Sequence, residues 1–148
     1  MPPRKERIPV VFDTNILIGY YARRSEESAN SRLYRLWRNR RELQLIISPE
    51  VVAEYLEVLE RIGIDERRLA RLEERLKGRD TVTLVTPGPQ PTQSRDPDDN
   101  VLLAAAVAGK AKFLLTNDRD LLDIPTAGRR PFRFQILTPR QFLAQVDS

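Results

Sequence analysis

The chain has 148 residues, of which 41% are hydrophobic and 31% charged, with a net charge of +4. This is a globular balance that excludes a disordered chain, and the length fits one compact domain over residues 1–148. It has no cysteine and no histidine, which removes disulfides, thiolate nucleophiles, cysteine-bound zinc and the imidazole general base.

Ile8 to Phe12 is a short apolar run ending at Asp13, and it predicts a buried strand. Asn15 to Tyr21 begins a helix, and Ser31 to Arg41 continues helical with Leu33, Leu36 and Trp37 on one face. Leu43 to Ile47 predicts a second strand. Ser48-Pro49 then starts a helix running to about Arg61, because Ser is a good N-cap and Pro is tolerated at the first helical position. Gly63 closes that helix, and Asp65 caps another that ends near Gly78. Thr81 to Val85 predicts a third strand, and the proline-rich stretch from Thr86 to Ser94 a loop. Asp96-Pro97 opens a further helix, apolar all round from Val101 to Ala108 and therefore expected to be buried. Lys112 to Thr116 predicts a fourth strand, Asn117 to Leu122 a short helix and Phe132 to Leu137 a last strand. Thr138-Pro139 caps a terminal helix.

Strands alternating with helices predict a three-layer α/β/α sandwich around a mostly parallel sheet. In such sheets ligands bind beyond the carboxyl ends of the strands, which draws attention to the acids just after each strand. Asp13 follows the first strand and Asp118 the fourth. Asp99 lies in the first turn of the buried helix, and Glu54 in the helix after the second strand. Each acid also has a structural explanation. Asp13 would cap the next helix, and Asp96, Asp98, Asp99, Asp118 and Asp120 lie near helix N-termini, where the macrodipole favours negative charge.

Glu54 is harder to account for in that way. Val51, Val52, Tyr55, Leu56, Val58, Leu59 and Ile62 form one apolar arc, and Glu54 falls about 40° from its edge, beside Val58. An acid at a core boundary needs a partner, either a nearby Arg or a cation. Four acids from four segments at one sheet edge would repel one another, and a divalent cation is the simplest offset. A site of carboxylates alone suits Mg²⁺ or Mn²⁺.

The segment Val10 to Ile18, around Asp13-Thr14-Asn15, resembles the opening motif of the PIN-domain nucleases. Ser48 to Tyr55 resembles their second motif, with Glu54 at the acidic position. Arg95 to Ala105 resembles the third, and Leu114 to Leu122 the fourth, in the family's order and over nearly the whole chain. The resemblance implies Mg²⁺- or Mn²⁺-dependent RNA cleavage. It also implies the toxin half of a type II toxin–antitoxin pair (VapC-like), with an antitoxin partner and a homodimer or higher homo-oligomer. By motif position Asp13, Glu54, Asp99 and Asp118 would form the catalytic metal cluster, supported by Asn15, Thr116 and Asp120. Asp96 or Asp98 could share the role of Asp99.

The arginines crowd between Arg23 and Arg41 and between Arg61 and Arg79, where the plainest account is the solvated faces of helices. An acidic pocket repels phosphate, so flanking cations are expected to bind RNA, with Arg23, Arg24 and Arg95 the first candidates. No stretch is apolar enough to span a bilayer. The basic N-terminus leads into a run broken by Asp13 and Asn15, which is a poor signal peptide, so a cytoplasmic protein is expected. The competing functions are an RNA-processing nuclease that is not a toxin, a phosphatase using Asp13 as nucleophile, and an inactive interaction module. The phosphatase chemistry would want a second acid two residues on, where Asn15 stands.

Overall fold

A computed structural model describes residues 6–23, 28–88, 96–124 and 132–146. The elements are β1 (Ile8–Phe12), α1 (Thr14–Arg23), α2 (Ala29–Arg38), β2 (Leu43–Ile47), α3 (Pro49–Arg61), α4 (Glu66–Lys77) and β3 (Val82–Leu84). They continue with α5 (Pro97–Ala108), β4 (Phe113–Leu115), α6 (Arg119–Leu122), β5 (Gln135–Leu137) and α7 (Pro139–Val146). All strand pairs are parallel, in the order β3-β2-β1-β4-β5, and helices flank the sheet in the expected α/β/α sandwich.

The caps set the boundaries. Ser48 Oγ accepts from Val51 N at 3.2 Å, and Asp65 Oδ1 accepts from Arg68 N at 2.9 Å. Thr138 and Gln141 form a reciprocal capping box: Thr138 N donates to Gln141 Oε1 at 2.9 Å, and Gln141 N donates to Thr138 Oγ1 at 3.1 Å. Helix α2 ends at Arg38 where Arg41 was expected, and β5 begins at Gln135 where Phe132 was expected; two other differences are explained by caps. Helix α2 starts before Ser31 because Ser28 Oγ accepts from Ser31 N at 3.1 Å. Helix α6 starts only at Arg119 because Asp118 caps it. The ladder of β4 runs a residue past each end, through Lys112 N to Pro9 O at 2.8 Å and Thr116 N to Leu137 O at 3.0 Å. Of the expected loop, 86–88 is described and irregular; the rest lies outside the described residues.

Strand β1 is the middle of the sheet, and Val10, Val11 and Phe12 are fully buried, as a strand covered on both faces requires. Helix α5 packs on β1, β2 and β4. It is buried from Leu102 to Ala106, but Val101 is only partly buried and Val107 is 51% exposed, so the all-round burial expected from Val101 to Ala108 stops two residues short. Gly109 follows, because a Cβ there would meet Ile46 Cγ2 at 2.4 Å. Trp37 on α2 is fully buried, edge-on to Phe12, and donates Nε1–H to Thr81 O at 3.0 Å. No helix among the described residues is long and apolar enough to cross a membrane.

Candidate active site at the carboxyl edge of the sheet

The strand order sets where a ligand can enter. From β1 the chain builds outward through β2 and β3, then returns to β4 on the other side of β1. The crevice beyond the β1 and β4 ends is therefore the topological switch point of the sheet. Phe12 pairs with Leu115 there, so the next residues, Asp13 and Thr116, stand side by side at its floor.

Asp13 is 8% exposed and Thr116 fully buried. Thr116 Oγ1 donates to Asp13 Oδ2 at 2.5 Å and accepts from Asp118 N at 2.9 Å. The backbone donor fixes which way the hydroxyl proton points, so one threonine ties both acidic positions together. Asn15 Nδ2 gives Asp13 Oδ2 a second hydrogen bond at 3.2 Å. Burial nevertheless holds the Asp13 carboxyl above the usual carboxylate range. The Thr116 hydrogen bond pulls it down, and the charge of Asp118 pushes it up again.

Beside this pair lies a tight acidic group. Asp96, Asp99, Asp118 and Asp120 each offer a carboxylate oxygen, and these oxygens lie within 4.8 Å of one another. Two helix N-termini bring them together. Asp96 caps α5, its side chain accepting from Asp98 N at 3.0 Å, and Asp118 caps α6, accepting from Asp120 N at 2.9 Å. Asp96 and Asp99 are three residues apart and share a helix face, whereas Asp98 points elsewhere and is exposed. Asp99 is 4% exposed. The expected quartet is thus brought together in part. Asp99 and Asp118 sit in the tight group with Asp96 and Asp120, and Asp13 and Glu54 stand outside it.

Asp13 is close enough to the group to feel Asp118. Glu54 is half-buried on α3, and its carboxyl is raised by burial first, then by the charge of Asp98, with Glu57 and Asp96 adding and Arg61 opposing. It therefore faces the first turn of α5. Helix α3 is held in place by Tyr55, fully buried, whose hydroxyl donates to the Phe12 carbonyl at the end of β1. Tyr55 was legible only as part of an apolar arc; its signal was that a core tyrosine must find a partner for its hydroxyl. Asn117 was likewise missed. Its Nδ2 donates to Asn30 Oδ1 at 3.2 Å, joining the β4–α6 turn to α2. Arg24 and Arg95 lie outside the described residues, as does the side chain of Arg23.

These donors fit a hard divalent cation: all are carboxylate oxygens, converging from separate elements and charged alike.

A search of curated protein sequences finds no match. Solved structures share the fold at low identity. A chain of VapBC2 from Rickettsia felis, a structure bound to a promoter DNA fragment, matches with TM-score 0.58 at 16% identity, covering 88% of this chain and 98% of that one. VapBC-1 from nontypeable Haemophilus influenzae matches with TM-score 0.55 at 18% identity, covering 90% and 99%. The T. brucei RRP44 PIN domain matches with TM-score 0.49 at 20% identity, covering 95% and 82%. The sequence model of the PIN domain matches residues 9–120, a span that includes β1 except Ile8, together with Glu54, both capped helix starts and the acids they carry. The chain belongs to the PIN-domain family, a family of nucleases.

Proposed function

We propose that this chain is a divalent-metal-dependent endoribonuclease and the toxin of a toxin–antitoxin pair. The observation that carries the nuclease reading is the group of four aspartates at the switch point, with the buried Asp13 beside it. The toxin reading is supported by the likeness of fold to chains of two VapBC assemblies, and it brings with it an antitoxin partner.

In this reading Asp13, Asp99 and Asp118 hold the cation, Mg²⁺ or Mn²⁺, with Asp96 and Asp120 contributing at its rim. When bound, such an ion supplies an activated water and positive charge for the phosphodiester transition state. Thr116 keeps the Asp13 and Asp118 positions in fixed register. Asn15 supports the Asp13 oxygen that Thr116 also contacts. Glu54, raised toward its protonated form, accepts or returns a proton at its carboxylate oxygen on the α5 side of the crevice. Arg23, Arg24 and Arg95 flank the motifs in the chain and contact the RNA backbone.

The test is incubation with single-stranded and structured RNAs in Mn²⁺, Mg²⁺ or EDTA. Cleavage with either ion and none in EDTA is expected. Cleavage in excess EDTA by a preparation free of contaminating nuclease overturns the metal chemistry. Saturable metal binding without cleavage of any RNA overturns the nuclease reading in favour of an interaction module. Rescue of cell growth by a small protein encoded beside this one separates a toxin from a nuclease of other purpose.

A further inference from the structure

The two arginine-rich runs of the sequence meet at the opposite edge of the sheet. Arg38 ends α2 and Arg75 lies in the last turn of α4; both helices return the chain to the strand starts at Leu43 and Val82. Together with Arg41, Glu74 and Asp80 they line a cavity of about 310 Å³. A five-residue parallel strand separates this edge from the acidic crevice by about 17 Å.

What distinguishes Arg38 and Arg75 from solvated surface arginines is how they are held. Arg38 lies over the Trp37 ring, 5.3 Å from its centroid, and Arg75 Nη1 donates to Tyr34 Oη at 2.7 Å. Both anchors are neutral aromatic side chains, and neither guanidinium has a carboxylate partner among the described residues. Arg41 differs, because it pairs with Asp80, which Arg7 also reaches at 3.4 Å. Arg38 and Arg75 are each half-buried; burial, and next the charge of Arg75, hold Arg38 below the ordinary arginine range, whereas Arg75, lowered by burial, is carried above it by Tyr34. Arg38 Nε is buried without a hydrogen-bond partner. An unsatisfied charged donor costs more than an ordinary lost hydrogen bond, and two like charges beside a cavity add to that cost. One oxyanion in the cavity that both arginines line would offset the like charge on Arg38. A guanidinium fork presents paired N–H donors matched to the oxygens of a phosphate.

We infer that Arg38 and Arg75 form a phosphate-binding site at the amino edge of the sheet, separate from the acidic crevice. Two sources share this chemistry, a free phosphate monoester such as a ribonucleotide and the backbone of an RNA strand. Glu74 at the cavity rim opposes either, so its removal strengthens binding.

The test follows the arginine Nε–H resonances of Arg38 and Arg75 by NMR, in the full chain, at constant ionic strength. Inorganic phosphate, a ribonucleoside 5′-monophosphate and a short RNA with hydroxyl ends are titrated separately, with chloride as the control. EDTA is present throughout to prevent cleavage and to leave the acidic crevice without metal. Saturable movement of the Arg38 Nε–H signal is expected with at least one probe. Affinity should fall at least tenfold in Arg75→Gln and in the charge-keeping Arg38→Lys, and rise in Glu74→Gln. Saturation by the first two probes alone identifies a monoester site, and saturation by the hydroxyl-ended RNA identifies a backbone site. Shifts that stay linear, or that chloride reproduces, overturn the inference and leave water as the partner of Arg38 Nε. RNA cleavage failing while this binding persists separates the fate of this site from that of the nuclease reading.

Discussion

At the carboxyl edge of the sheet the chain gathers Asp13, Asp96, Asp99, Asp118 and Asp120; at the amino edge it gathers Arg38, Arg41 and Arg75. One topology underlies both. In a parallel sheet the helices that follow strands begin at the carboxyl edge, and those that precede strands end at the amino edge. Macrodipoles therefore favour acids at one edge and arginines at the other, by about 0.3–1 kcal/mol for each charge. The dipole does not account for the closeness of the acids or the burial of Asp13, which act against folding. The amino edge is instead tied by hydrogen bonds and ion pairs: Trp37 to Thr81, Arg75 to Tyr34, and Arg41 and Arg7 to Asp80. The acidic edge is strained by the burial of Asp13 beside a like charge, and the basic edge is held by aromatic anchors and by ion pairs to Asp80.

The sharpest way to break this comparison is to remove one acid. Asp13→Asn and Asp118→Asn should each cut RNA cleavage by ~10²-fold or more, the scale of losing one group that stabilises transition-state charge. Both should melt no lower than the parent protein in EDTA, because the amide keeps the packing and relieves repulsion. Metal-free melts in which both variants are strongly destabilised would show that capping, not repulsion, dominates at this edge.

Thr116→Val should have the next largest effect. It keeps the shape but removes both the donor to Asp13 and the acceptor for Asp118 N. Metal affinity or cleavage should drop about 10–100-fold, the range for a group that orients a ligand. Titration calorimetry with Mn²⁺ checks this, and an unchanged affinity would remove Thr116 from its positioning role.

The sign of the pH dependence is a third probe. The folded protein binds a proton on Asp13 more tightly than the unfolded chain does. The stability this gives is complete below the ordinary carboxylate range and is lost as pH rises through the raised folded value. In EDTA the melting temperature should therefore fall as pH rises through that window. The slope should be shallower in Asp13→Asn, with Glu54, shifted the same way but only half-buried, supplying the remainder. Equal slopes in parent and variant would place the strain elsewhere.

The smallest effect belongs to the basic edge. Trp37→Phe removes the hydrogen bond to Thr81 and part of a fully buried ring, and should cost about 1–3 kcal/mol by denaturant unfolding, with no change in cleavage chemistry. A loss of cleavage larger than the loss of folded protein would mean that the two edges are coupled.

Local chemistry was readable along the chain. The apolar runs ending at Asp13 and Thr116 marked the strands that meet at the switch point. Ser48-Pro49 and Asp96-Pro97 marked their helix starts to the residue, because N-caps and proline act within one turn. Asp13, Asp99 and Asp118 were legible for the same reason, since each lies just past a strand or in a helix beginning, and Glu54 was legible from its place at the edge of the apolar arc of α3. The choice among them was not. Asp96 and Asp99 share a face of α5 while Asp98 does not, and Asp120 joins the group only because the Asp118 cap turns the chain at that point. Glu54 sits toward Asp98, to one side of the tight group, because the Tyr55 hydroxyl pins α3 against the end of β1. Arg38 and Arg75 are far apart in the chain and unremarkable in composition. Only the return of α2 and α4 to neighbouring strand starts makes them a pair, and a contact of that kind is decided by packing between elements, which no local pattern encodes.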